Sequence, residues 1–278
     1  MKLRIAQTAG FCMGVQRAVD MALEAPGAFP APIYTYGPLI HNNQVLQLLV
    51  AKGIQPIASL PEQGRGTMII RAHGIPPQDQ AQIEAAGYKI LDATCPRVKK
   101  VQVIIERYAR KEYGVIIVGD HNHAEVAGLK GYAGNRGVVV ESMAALDELP
   151  AFPQAIIVAQ TTQNTLFFKR IGQWARANRP QYKLFNTICD STEKRQAEVR
   201  ILANQVEAFV IIGGRNSGNT RRLAEIARHT GRPAFHVETE GDLELAAMAA
   251  FNEVGVTAGA STPSWITERV CRMLRELT

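Results

Sequence analysis

Long apolar runs are missing from this 278-residue chain. No stretch approaches the ~20 consecutive apolar residues of a membrane span, so no membrane association is predicted. The opening residues, Met-Lys-Leu-Arg-Ile-Ala, reach Gly10-Phe11-Cys12 before a signal-peptide core can form, which predicts a cytoplasmic protein. Long basic runs are missing too. The net charge of +6 is a mild, dispersed excess that fits an anionic small molecule or an acidic partner, and no nucleic-acid partner is expected. With 46% hydrophobic and 20% charged residues, and glycine and proline scattered along the chain, composition excludes disorder, collagen and coiled coil. The length is enough for two or three compact units.

Cysteine is scarce and unclustered. Its four positions are Cys12, Cys95, Cys189 and Cys271, and no pair has the C-x-x-C spacing of a zinc ribbon or thioredoxin site. The crowded spacing of ferredoxins is likewise absent. Three of the four nevertheless share a setting. Cys12 follows the strand-like Leu3–Ala6 and precedes Val15, Ala18, Val19 and Ala22 at helical spacing. Cys95 follows Tyr88–Leu91 and precedes Pro96, Val98, Val101, Ile105 and Tyr108. Cys189 follows Lys183–Phe185 and precedes Val199, Leu202, Ala203 and Val206. Each therefore lies at a strand-to-helix corner, where the positive helix end favours a metal-binding thiolate. Cys271, within Ile266, Val270, Met273, Leu274 and Leu277, reads as helix packing.

Strand-like segments fall into three sequential sets of four. The first is Leu3–Ala6, Ile33–Tyr36, Ile54–Ile57 and Met68–Arg71; the second is Lys89–Leu91, Val115–Val118, Val138–Val140 and Ile156–Ala159. The third is Lys183–Phe185, Phe209–Ile212, Ala234–Val237 and Val254–Thr257. Helical patterns lie between most of them, which predicts parallel strands in α/β units. Polar loops recur in the same order. Glycine-led loops begin at Gly37, Gly119 and Gly213, and a second group comprises Ala72-His73-Gly74, Gln160-Thr161-Thr162 and Ala258-Gly259-Ala260-Ser261-Thr262. The repeat predicts three similar α/β lobes, each with a four-stranded, mostly parallel sheet, about a pseudo-threefold axis on which the cysteines converge. The lobes are expected at residues 14–95, 96–188 and 189–278.

Three converging thiolates suit zinc with a histidine as fourth ligand, or an iron–sulfur cubane with one open iron. The loop hydroxyls and amides, with His41, His73 and His123, favour a phosphorylated ligand. Taken one at a time, these residues are also ordinary loop or helix-capping types.

As a set, the motifs resemble the 4-hydroxy-3-methylbut-2-enyl diphosphate reductases of the non-mevalonate isoprenoid pathway. The segments that carry the likeness are Gly10-Phe11-Cys12-Met13-Gly14-Val15, His41-Asn42, Ala72-His73-Gly74 and Asp92-Ala93-Thr94-Cys95-Pro96. They continue with His121-Asn122-His123-Ala124-Glu125-Val126, Gln160-Thr161-Thr162, Thr187-Ile188-Cys189 and Arg195-Gln196. Asn216-Ser217-Gly218-Asn219 and Thr257-Ala258-Gly259-Ala260-Ser261-Thr262-Pro263 complete the set. The resemblance implies one [4Fe–4S] cluster per chain on Cys12, Cys95 and Cys189, whose open iron takes the substrate and, when lost, leaves [3Fe–4S]. It implies a diphosphate clamp of His41, His73, His123, Ser217, Asn219 and Ser261, with Thr161 beside the allylic hydroxyl and Glu125 as proton source. It also implies that residues 1–13 join the third lobe, a reduced ferredoxin or flavodoxin as electron donor, and a monomer. One departure stands out: the family often has a second serine where this chain has Gly218, which offers only its backbone amide. A quinolinate-synthase-like cluster enzyme shares the dispersed cysteines but has no need of the diphosphate set. A non-enzymatic cluster sensor needs a partner-binding element, such as a helix-turn-helix or a basic arm, that this sequence does not contain.

Overall fold

Runs such as Gly114–Val118, Ala155–Ala159 and Ala208–Ile212 are apolar without alternation, a pattern stable only in strands covered on both faces, as in parallel sheets. Every residue of these three runs is buried. The computed structural model describes residues 1–61 and 63–277, and residue 278 of the predicted third lobe lies outside it. Its elements begin with β1 (Lys2–Ile5), α1 (Met13–Ala28), β2 (Ile33–Tyr36), α2 (Asn43–Ala51) and β3 (Ile54–Ile57). Next come β4 (Thr67–Ile70), α3 (Pro77–Ala85), β5 (Lys89–Asp92), α4 (Pro96–Ala109), β6 (Gly114–Val118) and α5 (Ala124–Ala133). They continue with β7 (Gly137–Val140), β8 (Ala155–Ala159), α6 (Thr165–Asn178), β9 (Lys183–Leu184) and α7 (Asp190–Leu202). The chain closes with β10 (Ala208–Ile212), α8 (Gly218–His229), β11 (Ala234–Val237), α9 (Leu245–Met248), β12 (Glu253–Ala258) and α10 (Ser264–Arg275).

The twelve strands form three four-stranded sheets, ordered β5-β4-β2-β3, β9-β8-β6-β7 and β1-β12-β10-β11, with every pairing parallel. The sequential grouping is corrected at one place in each set. Leu3–Ala6 leads the first set, yet β1 pairs with β12 of the third sheet; likewise β5 pairs with β4 and β9 with β8. The helix after each cysteine carries the chain into a new sheet, so the strand before the cysteine finishes another one as an edge. These edge strands are partly exposed, unlike β6, β8 and β10.

Two compact units are present. The smaller comprises Met1–Val15, His41–Val45 and the chain from Asp190 on, and it holds the sheet of β1, β12, β10 and β11. Its sheet is covered on one face by Ile266, Val270, Cys271 and Leu274 of α10 and on the other by Leu223, Ala224 and Ala227 of α8. The larger comprises Gln16–Ile40 and Leu46–Cys189 and holds the other two sheets. There Val101 and Ile105 of α4 cover one face of the β6–β9 sheet and Phe168, Ile171 and Ala175 of α6 the other. Helix α7 stops at Leu202, so Ala203 and Val206 of the predicted stripe pack from the turn beyond it. Cys271 is buried in helix packing as expected, and burial pushes its thiol pKa up. Among the described residues no helix is long and apolar enough to cross a membrane.

Candidate active site

Cys12, Cys95 and Cys189 are half-buried and form no disulfide, and each immediately precedes the first residue of a helix. One backbone contact recurs at all three. Cys95 N–H donates to the Ala72 carbonyl at 2.9 Å, Cys189 N–H to that of Thr161 at 2.9 Å, and Cys12 N–H to that of Ala260 at 3.1 Å. Each acceptor lies two residues beyond the end of the neighbouring strand, β4, β8 or β12. Fixing the amide in this way sets where the thiol leaves the backbone.

The turns before the cysteines are built by two devices. Three residues ahead of Cys95, the Asp92 carboxylate accepts from Thr94 N–H at 2.9 Å; three residues ahead of Cys189, the Asn186 side chain accepts from Ile188 N–H at 3.2 Å. These are Asx turns, in which a short polar side chain imitates a backbone carbonyl. Ahead of Cys12 the same bend is made by Gly10, whose φ of 98° lies in the left-handed region that glycine enters without strain. Buried Arg195 donates to the carbonyls of Thr8 and Ala258, and Glu198 accepts from Gln7 N–H and from the amide and hydroxyl of Thr8. Burial opposes the Glu198 charge, but these hydrogen bonds and the Arg195 charge outweigh it and hold the carboxyl below its ordinary pKa.

In the larger unit, Glu125 is 1% exposed and grips one residue with both oxygens. Oε1 accepts from Thr161 N–H at 2.6 Å and Oε2 from the Thr161 hydroxyl at 2.7 Å. Because Thr161 also receives Cys189 N–H, the carboxylate, the hydroxyl and a cysteine backbone form one connected line. His123 caps α5: its Nδ1 accepts from Glu125 N–H at 3.1 Å. An accepting Nδ1 puts the ring hydrogen on Nε2, leaving that nitrogen as a donor. His73 and His123 stand edge to face with ring centroids 5.3 Å apart. Helix α5 comes this close to the His73 loop because it presents Gly128 and Gly131 there. A Cβ on Gly131 would lie 2.6 Å from Pro76 Cβ, and one on Gly128 would touch the backbone of Gly74 and Ile75.

In the smaller unit, His41, Ser217 and Ser261 meet. Ser261 Oγ donates to the His41 carbonyl at 3.1 Å and lies 3.5 Å from Ser217 Oγ. Ser217 caps α8 by accepting from Thr220 N–H at 3.4 Å. Gly214 makes room for His41, since a Cβ there would sit 2.6 Å from its carbonyl oxygen. Asn219, in the first turn of α8, is buried, and its Nδ2 donor has no hydrogen-bond partner. Such an orphan is costly in a finished protein and is a donor awaiting an acceptor.

Sequence reasoning passed over Asn186 and Glu198 and named Asp92 and Gln160 only as motif residues, without the part each plays in holding these groups in place. Gln160, fully buried, accepts from Asp120 N–H at 3.0 Å and donates to Thr162 Oγ1 at 2.9 Å, tying the Glu125 loop to the Thr161 loop. The recurring cysteine contact also sets the register among the loops. It places Thr161 level with Ala72 and Ala260, so that Thr162 is the counterpart of His73 and Ser261. An Asx residue three positions before a cysteine at a strand-to-helix corner was the available signal.

A family profile described as LytB protein matches residues 3–275. A 4-hydroxy-3-methylbut-2-enyl diphosphate reductase of Aquifex aeolicus is 41% identical over 98% of this chain and 96% of its own. One from Anaeromyxobacter sp. (strain K) is 41% identical over the whole of both. Among solved structures, the Plasmodium falciparum E-1-hydroxy-2-methyl-but-2-enyl-4-diphosphate reductase superposes with a TM-score of 0.93 at 29% identity, over 98% of this chain and 87% of that one. A second, an (E)-4-hydroxy-3-methyl-but-2-enyl diphosphate reductase described as the terminal enzyme of the non-mevalonate pathway, is 41% identical over 99% of this chain and 100% of that one, with a TM-score of 0.70. With matches of this extent in both sequence and fold, the chain belongs to the LytB protein family.

Proposed function

We propose that this chain catalyses the reductive dehydroxylation of 4-hydroxy-3-methylbut-2-enyl diphosphate to isopentenyl and dimethylallyl diphosphates, using a [4Fe–4S] cluster held by Cys12, Cys95 and Cys189. The reading takes the chain as three lobes at 14–95, 96–188 and 189–278, with 1–13 joining the third. It takes a monomeric, cytoplasmic enzyme that receives electrons from a reduced ferredoxin or flavodoxin. The donor set suits the cluster: three half-buried cysteines outside any disulfide, each at the positive end of a helix, where an anionic cluster is stabilised. When bound, such a cluster supplies the electrons one at a time and an open iron that polarises the substrate hydroxyl.

The rest of the chemistry belongs to the side chains. Per turnover the substrate takes up two electrons and two protons, its C–O bond is replaced by C–H, and the oxygen leaves as water. His41, His73, His123, Ser217, Asn219 and Ser261 hold the diphosphate, with His123 offering Nε2–H and Asn219 its unpartnered Nδ2. Glu125 is the proton source. In its protonated form it donates to Thr161 Oγ1, whose own hydrogen passes to the departing oxygen, and one proton moves through two hydrogen bonds.

The observation that carries the proposal is the two-point hold of buried Glu125 on Thr161, 2.6 and 2.7 Å long. Glu125→Gln keeps the shape and removes the acid. In the anaerobically prepared enzyme we expect iron and sulfide content to be retained and kcat to fall about 100- to 10,000-fold. Undiminished turnover would remove Glu125 from the reaction.

A further inference from the structure

Helix α4 carries three of its cations at the disfavoured end. A helix amino terminus attracts acids and repels cations, yet the first turns of α4 hold Arg97, Lys99 and Lys100 and no acid. All three are exposed, and the helix starts at half-buried Cys95. Arg17 of α1, also exposed, brings a fourth charge: its guanidinium donates to the carbonyl of Thr94, the residue before Cys95, at 3.2 Å. The neighbouring acids are engaged locally. Asp92 pairs with Lys99 at 2.5 Å, Glu106 with Arg110 at 2.5 Å, and Asp20 accepts from Gln16 at 2.7 Å.

Lys100, Val103 and Arg107 follow at i, i+3 and i+7, so they share one face of the helix. Val103 is 63% exposed in the middle of that face, between two cations. An exposed aliphatic residue flanked by Lys100 and Arg107, beside a Glu106 already paired with Arg110, fits a protein surface of opposite charge better than it fits a small anion, which would leave Val103 unused. Arg97, Lys99 and Lys100 oppose the dipole of the helix that bears them, and with Arg17 they cluster near Cys95.

We propose that the face formed by Arg97, Lys100, Val103 and Arg107 is the docking surface for an acidic, one-electron carrier protein that delivers its electrons beside Cys95. The inference rests on the reductase reading. Each docking event oxidises one carrier by one electron and reduces the enzyme by one, so two events serve each turnover.

The test uses the cluster-loaded enzyme and an acidic [2Fe–2S] ferredoxin. Lys100→Glu and Arg107→Glu, both on exposed positions, are compared with wild type in two assays. The first is calorimetric binding of oxidised ferredoxin at low salt. The second is turnover driven by reduced ferredoxin or by reduced methyl viologen, which needs no docking surface. We expect the ferredoxin Kd and KM to rise about tenfold or more, the difference to shrink at ~0.5 M salt, and viologen-driven turnover to stay within about twofold. Unchanged Kd and KM in both variants would overturn the proposal, as would an equal loss with both reductants. Failure of the wild-type enzyme to turn over substrate with either reductant would instead strike the reductase reading, and the binding assay would still decide the docking surface.

Discussion

Asp92 sits three residues before Cys95 and serves two partners: it accepts from Thr94 N–H to close the turn and pairs with Lys99 at 2.5 Å. Burial raises its pKa, but the hydrogen bonds from Lys99 and Thr94, with the Lys99 charge, outweigh that and hold the carboxyl below its ordinary 3.8. A carboxylate whose folded pKa is depressed contributes stability that is complete above the unfolded value and is lost as pH falls through the folded one. Urea midpoints measured from about pH 6 down to about 3 should therefore fall at the acid end in wild type, and fall less in Asp92→Asn. An identical acid limb in the two proteins would contradict the assignment. Asp92→Asn keeps an acceptor for the turn, as Asn186 does before Cys189, whereas Asp92→Ala removes it and should cost about 1–2 kcal/mol near neutral pH. The half-exposed Lys99 contributes little of this, since such pairs are worth at most about 1 kcal/mol. The thiols and hydroxyls were legible in the sequence because their chemistry is rare and repeats in order. Asp92, Asn186 and Glu198 were not, because they act on backbone amides, and a carboxylate or amide in a loop looks the same whether or not it closes a turn.

At the scale of elements, helix α5 trades propensity for approach. Gly128 and Gly131 each weaken a helix by roughly 1 kcal/mol relative to alanine, yet they stand where the helix meets Gly74, Ile75 and Pro76. Gly131→Ala gains propensity but sets its methyl 2.6 Å from Pro76 Cβ and 3.0 Å from Pro76 Cα, atoms of a ring that cannot swing aside. Overpacking of this kind costs about 1–3 kcal/mol. We expect a net loss in urea midpoint and a weaker hold on diphosphate, because the His73 loop moves away from His123; a midpoint equal to or above wild type would refute this account of the glycines. All twelve strands were legible from apolar runs bounded by glycine and polar loops. Sheet membership was not legible from periodicity, which marks a strand but not its neighbour. Strand β9 shows the difficulty well. The strand is two residues long, Phe185 N–H still donates to the Ile157 carbonyl at 2.9 Å, and the ladder then continues through the Thr187 hydroxyl, which accepts from Ala159 N–H and donates to the Ala159 carbonyl, each at 2.7 Å.

Across the whole molecule, the same plan is used three times: an edge strand, a bend, a cysteine held by a carbonyl two residues past the adjacent strand, and a helix. Three copies of one corner, each ending in a thiol at a positive helix end, are the ligand set that the proposed anionic cluster requires. Zinc on three thiolates is the competing occupant, and it carries no sulfide. The direct measurement is iron and acid-labile sulfide per chain after anaerobic reconstitution, for wild type and for Cys12→Ala, Cys95→Ala, Cys189→Ala and Cys271→Ala. The account predicts about four irons and four sulfides in wild type and Cys271→Ala, and a marked loss in each of the other three. Zinc without sulfide, or full iron and sulfide in any of those three variants, would contradict it.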